Sequence, residues 1–152
     1  MSGFADLVRL VRAELVEPAD LVAQSLGGIV AIAAAAAQPT RIRRVVLVAT
    51  SGGVEMSGID VYDWRADYRN EYPDASGWIT GELPDMTDVV RSVAAPTLLL
   101  WGDADPISPP AVGLRLASLL PDAKLVVIPG GSHAMATERP AEIAAHIQAH
   151  LA

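Results

Sequence analysis

Four short apolar runs punctuate the chain, at residues 20–23, 44–49, 97–101 and 125–128. Each is dense in Val, Leu or Ile and lacks the polar alternation of a half-exposed strand. Each therefore reads as a strand of a parallel sheet covered on both faces. Between the runs the apolar positions change to helical spacing. Phe4, Leu7, Val8, Val11 and Leu15 mark one face of a first helix, and residues 26–37 form an Ala-rich helix closed by Pro39. Residues 112–120 form another, ending at Pro121. A last helix opens with Pro140 in its first turn and repeats Ile143, Ile147 and Leu151 at every fourth position. Strands alternating with helices predict an α/β fold with right-handed crossovers and a mostly parallel sheet of about four strands.

One connection breaks this rhythm. Residues 51–91 form a Gly- and Pro-containing stretch of about forty residues, far longer than an ordinary strand-to-helix link. It holds Tyr62, Trp64, Tyr68, Tyr72 and Trp78, five of the seven aromatic residues. Trp64, Tyr68 and Tyr72 share one face of a helix. Such a stripe packs a small insert onto the core, or it lines a pocket beneath a lid.

Composition narrows the class. A chain of 152 residues is long enough for one domain that buries roughly 70% of its unfolded surface. No apolar run spans a bilayer and no cationic leader precedes a hydrophobic stretch, so a soluble cytoplasmic protein without a signal peptide and without membrane contact is expected. The net charge is −7, and the ten Arg and single Lys124 are scattered, which disfavours a nucleic-acid surface. The absence of Cys excludes disulfides, thiolate catalysis and Cys-rich zinc sites. His146 and His150 have the spacing of metal ligands on a helix, but no Cys or suitable carboxylate accompanies them. They read as a solvated helix end, and no metal or cofactor is expected.

The candidate chemistry lies at the ends of the strands. Ser25 stands between a buried run and a helix, flanked by the small residues Ala23, Gly27 and Gly28. That setting suits a nucleophile on a sharp turn with positive φ, with the N–H of Leu26 in the first turn of the helix able to meet an oxyanion. It also suits a simple helix cap. The third run ends in Gly102-Asp103-Ala104-Asp105, offering two acids, and the fourth leads through Gly130-Gly131 to His133. An imidazole within reach of a serine can take its proton during attack, and an acid can orient that imidazole. The order Ser, Asp, His along a chain of this kind belongs to nucleophilic enzymes.

From first helix to last, the sequence resembles the C-terminal half of an α/β-hydrolase. The resemblance rests on Leu21-Val22-Ala23-Gln24-Ser25-Leu26-Gly27-Gly28, on Pro96 through Pro106 with its Gly102-x-x-Asp105 turn, and on Pro129-Gly130-Gly131-Ser132-His133. It implies a three-layer α/β sandwich in which Ser25 is the nucleophile, His133 the base, Asp105 the acid and Leu26 the oxyanion donor. Asp103 is left to cap the turn. It also makes residues 51–91 a short cap within the domain spanning 1–152, with Trp64, Tyr68 and Trp78 against the substrate. Ala23 stands where the family more often has Gly, a mild departure.

The implied function is a serine hydrolase acting on a small hydrophobic ester, lactone or thioester through an acyl-enzyme. The same triad supports a cofactor-free lyase or haloperoxidase, and a truncated or degenerate form with little activity would act by binding or association. Only 24 residues precede Ser25, so the family's early strands and the His-Gly segment that supplies a second oxyanion donor are missing from this sequence. Its nucleophile strand is then an unpaired apolar edge, which predicts a homodimer joined there.

Overall fold

A computed structural model describes residues 3–152. In chain order its helices and strands are α1 (Phe4–Glu14), β1 (Ala19–Gln24), α2 (Leu26–Ala37), β2 (Ile42–Val48), α3 (Arg65–Glu71), α4 (Thr87–Arg91), β3 (Thr97–Gly102), α5 (Pro110–Leu119), β4 (Ala123–Ile128), α6 (Met135–Glu138) and α7 (Pro140–Leu151). All four strands are parallel and lie in the order β1-β2-β3-β4. The register pairs Gln24 with Val48, Val48 with Leu100 and Gly102 with Ile128. The C-terminal ends of the strands therefore form one edge, and the loops that leave them meet there.

The two faces of this sheet make two cores. Val45 and Leu47 of β2, with Leu99 and Trp101 of β3, pack against Ile32, Ala35, Val90, Val112 and Leu116 of α2, α4 and α5. Their alternate neighbours Val46, Val48, Leu98 and Leu100 pack on the other face with Met135 and Ile143 of α6 and α7. Period-two side chains thus enter apolar surroundings on both sides, which is why the central runs carry no polar alternation. Helices cover both faces, giving a three-layer α/β sandwich.

Coverage is uneven at β1. Strand β1 lies at the sheet edge, and Val22 on it is 50% exposed because α6 and α7 extend only over the later strands. Helix α1 buries no residue completely, although Phe4 and Val11 pack against the first core. Among the described residues, no helix is long and apolar enough to cross a membrane.

Segment 51–91 connects β2 to β3. The guanidinium of Arg115 on α5 donates to the carbonyls of Glu55 and Ser57, and the Tyr62 N–H donates to the Pro106 carbonyl at 2.8 Å. These bonds tie the segment to the helical layer and to the loop after β3. Its closing helix, α4, buries Val90 in the first core.

Candidate active site

Backbone geometry at the end of β1 sets the site. Ser25 extends the ladder by donating its N–H to the Val48 carbonyl at 3.0 Å, then turns into α2 with φ 50° and ψ −124°. A non-glycine residue in that region costs about 1–3 kcal/mol and persists only where its surroundings enforce it. Leu26 is the first residue of α2, so its N–H has no acceptor within the helix and lies at the positive end of the helix dipole.

Asp105 and His133 stand on the loops that follow β3 and β4. Asp105 is 2% exposed, and its Oδ1 accepts the N–H groups of Ile107 and Ser108 at 2.9 and 3.0 Å. Its Oδ2 lies 2.8 Å from His133 Nδ1, while His133 Nε2 lies 3.2 Å from Ser25 Oγ. A proton on Nδ1 satisfies both bonds: it is donated to the carboxylate, and the Nε2 lone pair faces the serine. Gln24 steadies the same loop, its Nε2 donating to the His133 carbonyl at 2.9 Å.

Asp103 and Asp105 have separate tasks. The Asp103 carboxylate accepts the Gly130 N–H at 2.6 Å, closing the turn after β4, and makes no bond to His133. The two loops approach backbone to backbone at Gly102 and Gly131, with the Ala104 N–H donating to the Gly131 carbonyl at 3.0 Å. A Cβ on Gly102 would lie 2.0 Å from that carbonyl oxygen. Gly102 therefore permits the loop contact that brings Asp105 to His133.

A cleft of about 840 Å³ opens over Ser25 and His133. Leu26, Met56, Val61, Ile79 and Leu83 supply apolar walls, and Trp64 and Tyr68 stand in the lining with their rings edge-to-face at 5.6 Å. Trp78 does not join them. It lies in the short 3₁₀ turn Gly77–Thr80, with its indole N–H buried and unpartnered, and its neighbour Ile79 faces the cleft instead. Periodicity could not foresee this, because the α3 stripe stops at Tyr72, which is 49% exposed. His146 and His150 lie on α7, where His150 approaches the Pro96 carbonyl at 3.2 Å.

The outer rim is acidic. Asp63, Asp67 and Glu71 line the cleft with Arg65, and segment 51–91 carries nine carboxylates against three arginines. Hydrogen bonds from the Arg65 N–H and then its guanidinium hold the Asp63 carboxyl below its usual range. The hydrogen bond to Asp67, together with that group's charge, holds the Tyr62 hydroxyl above its usual range. The Asp63 carboxylate is thereby favoured in its charged form, and the Tyr62 hydroxyl in its neutral form.

Known proteins share this fold. The family model described as alpha/beta hydrolase fold matches residues 56–140. A pimeloyl-[acyl-carrier protein] methyl ester esterase of Neisseria meningitidis is 27% identical over 82% of this chain and 66% of its own length. The chain thus spans slightly less than two thirds of that relative. A non-heme haloperoxidase of Rhodococcus erythropolis is 44% identical over 35% of this chain and 20% of its own. Among solved structures, a lipase-esterase related protein from Clostridium acetobutylicum superposes with a TM-score of 0.80 at 14% identity, covering 99% of this chain and 76% of that one.

Proposed function

Since this chain belongs to the α/β-hydrolase fold family, we propose that it hydrolyses small, uncharged, hydrophobic esters through an acyl-enzyme on Ser25. The observation that carries this reading is the hydrogen-bonded line Ser25–His133–Asp105, in which Ser25 and His133 line a cleft with apolar walls and Asp105 is buried behind them. His133 takes the hydroxyl proton as Ser25 Oγ attacks the acyl carbon, then returns it to the departing alkoxide. Asp105 holds the ring and stabilises its cation. The Leu26 N–H faces the developing oxyanion. Water, activated in turn by His133, releases the acid and restores the serine.

The substrate class follows from the cleft. Apolar walls and the Trp64–Tyr68 pair suit a short acyl or aryl group, and a lactone or thioester of that kind satisfies the same chemistry. The acidic rim disfavours an anionic substrate, an effect on encounter of about tenfold or more that salt screens. Turnover of p-nitrophenyl butyrate, absent in Ser25→Ala, is the expected result. A carboxylate-bearing ester of equal length should show lower kcat/KM, with the gap closing as salt rises. Equal rates for wild type and Ser25→Ala would overturn the assignment.

The local match to a haloperoxidase favours one further reading. Hydrogen peroxide in place of water would release the same acyl group as a peroxy acid, and peroxide-dependent halogenation in acetate buffer tests it. We also propose that two chains associate through the β1 edge, where the backbone has one strand neighbour and Val22 is half exposed. Light scattering at micromolar concentration should give twice the chain mass, and a monomer would contradict this.

A further inference from the structure

The side chain under the nucleophile turn is Thr50, and nothing in the triad accounts for it. Thr50 is completely buried at the end of β2, delivered there by Ala49, whose φ of 46° is the other positive value at a non-glycine residue among the described residues. Its Oγ1 donates to the Ser25 carbonyl at 2.6 Å and accepts the Gly52 N–H at 3.1 Å. Its own carbonyl accepts the Ser108 hydroxyl at 3.2 Å, and Ser108 Oγ accepts the Trp101 indole N–H at 3.2 Å. Ser108 also gives its N–H to Asp105. A closed circuit results: Ser25, Thr50, Ser108, Asp105, His133 and back to Ser25.

The covalent geometry of that first bond matters most. The Ser25 carbonyl and the Leu26 N–H are the two ends of one trans peptide, held in one plane and pointing in opposite directions. Whatever fixes the carbonyl fixes the N–H. Two donors hold this carbonyl, Thr50 Oγ1 at 2.6 Å and the Gly28 N–H at 2.9 Å. Hydrogen bonding at the carbonyl also polarises the amide and strengthens its N–H as a donor. Gly28 completes the fit, since a Cβ there would lie 2.6 Å from Thr50 Cβ and Oγ1. That contact explains why the second position after Leu26 is glycine.

We propose that Thr50 is a positioning residue that aims and polarises the Leu26 N–H through the shared peptide, while its backbone carbonyl couples this turn to the Asp105 loop. This inference rests on the hydrolase reading above. Thr50 touches no substrate, so its effect falls on the transition state, where negative charge develops, rather than on ester binding.

The test compares wild type with Thr50→Ser, Thr50→Ala and Thr50→Val, using p-nitrophenyl butyrate turnover and inhibition by butylboronic acid, whose tetrahedral adduct presents an oxygen to the Leu26 N–H. Removing a direct oxyanion donor costs about 100- to 1000-fold, so losing its orienting bond should lower kcat about tenfold in the Ala and Val variants. KM should stay near the wild-type value, boronate affinity should fall in parallel with kcat, and Thr50→Ser should retain both. Should the Val variant not fold, the Ser and Ala variants, which share the missing methyl and differ in the hydroxyl, decide the matter. Equal kcat in Thr50→Ser and Thr50→Ala overturns the inference while leaving the hydrolase reading intact. An inactive wild type, unlabelled at Ser25, overturns both.

Discussion

Asp105→Asn is expected to lower kcat by about 10,000-fold, whereas Asp103→Asn should leave it nearly unchanged. The two acids stand two positions apart and differ in what they hold. Asp105 Oδ1 is occupied by two backbone N–H groups, so its orientation is fixed and its Oδ2 faces His133 Nδ1 at 2.8 Å. An asparagine that keeps its oxygen on those N–H groups turns its amide nitrogen toward the ring. The imidazole must then accept at Nδ1 and carry its proton on Nε2, where it cannot take one from Ser25. Asp103 instead closes a turn through the Gly130 N–H, a bond that the asparagine oxygen can still accept, so stability should change by no more than about 1 kcal/mol. Comparable kcat losses in the two variants would show that the acid had been misassigned.

Gly102→Ala is expected to produce the largest loss of stability from a single methyl group. The added Cβ would sit 2.0 Å from the Gly131 carbonyl oxygen and 2.3 Å from its carbon. Backbone cannot swing aside as a flexible side chain can, so the loops after β3 and β4 must separate. Overpacking of a well-filled site costs about 1–3 kcal/mol, and a backbone obstacle belongs at or above the upper end. Against a total stability of about 5–15 kcal/mol, that is a clear fall in the urea midpoint. Activity should fall further than stability alone requires, because the same separation draws Asp105 from His133. A midpoint equal to that of wild type would contradict the close approach.

The sheet was legible because its physics is local. Strands covered on both faces need continuous apolar residues, and the runs at 44–49 and 97–101 have them. The structure lengthens β2 back to Ile42, since the ladder begins where Ala19 meets Ile42, a pairing that no single strand reveals. The elbow was legible through small residues around Ser25, and resemblance separated Asp105 from Asp103 where composition could not. The interior of segment 51–91 was not legible. Which of its aromatics face the cleft depends on how irregular chain is tied to Arg115 and Pro106, so Tyr62 and Ile79 line it and Trp78 does not. Thr50 was equally hidden, because its place under Ser25 depends on a left-handed turn at Ala49. The glycine at position 28 was the one trace it left, read from sequence only as a small residue near a turn.

The proposed chemistry requires Ser25 to be a nucleophile activated by His133. Incubation of the purified chain with a fluorophosphonate, followed by peptide mass spectrometry, tests it most directly. A single covalent adduct on Ser25, formed much more slowly in His133→Ala and absent in Ser25→Ala, is the expected result. No adduct, an adduct on another residue, or equal labelling rates with and without His133 would contradict it.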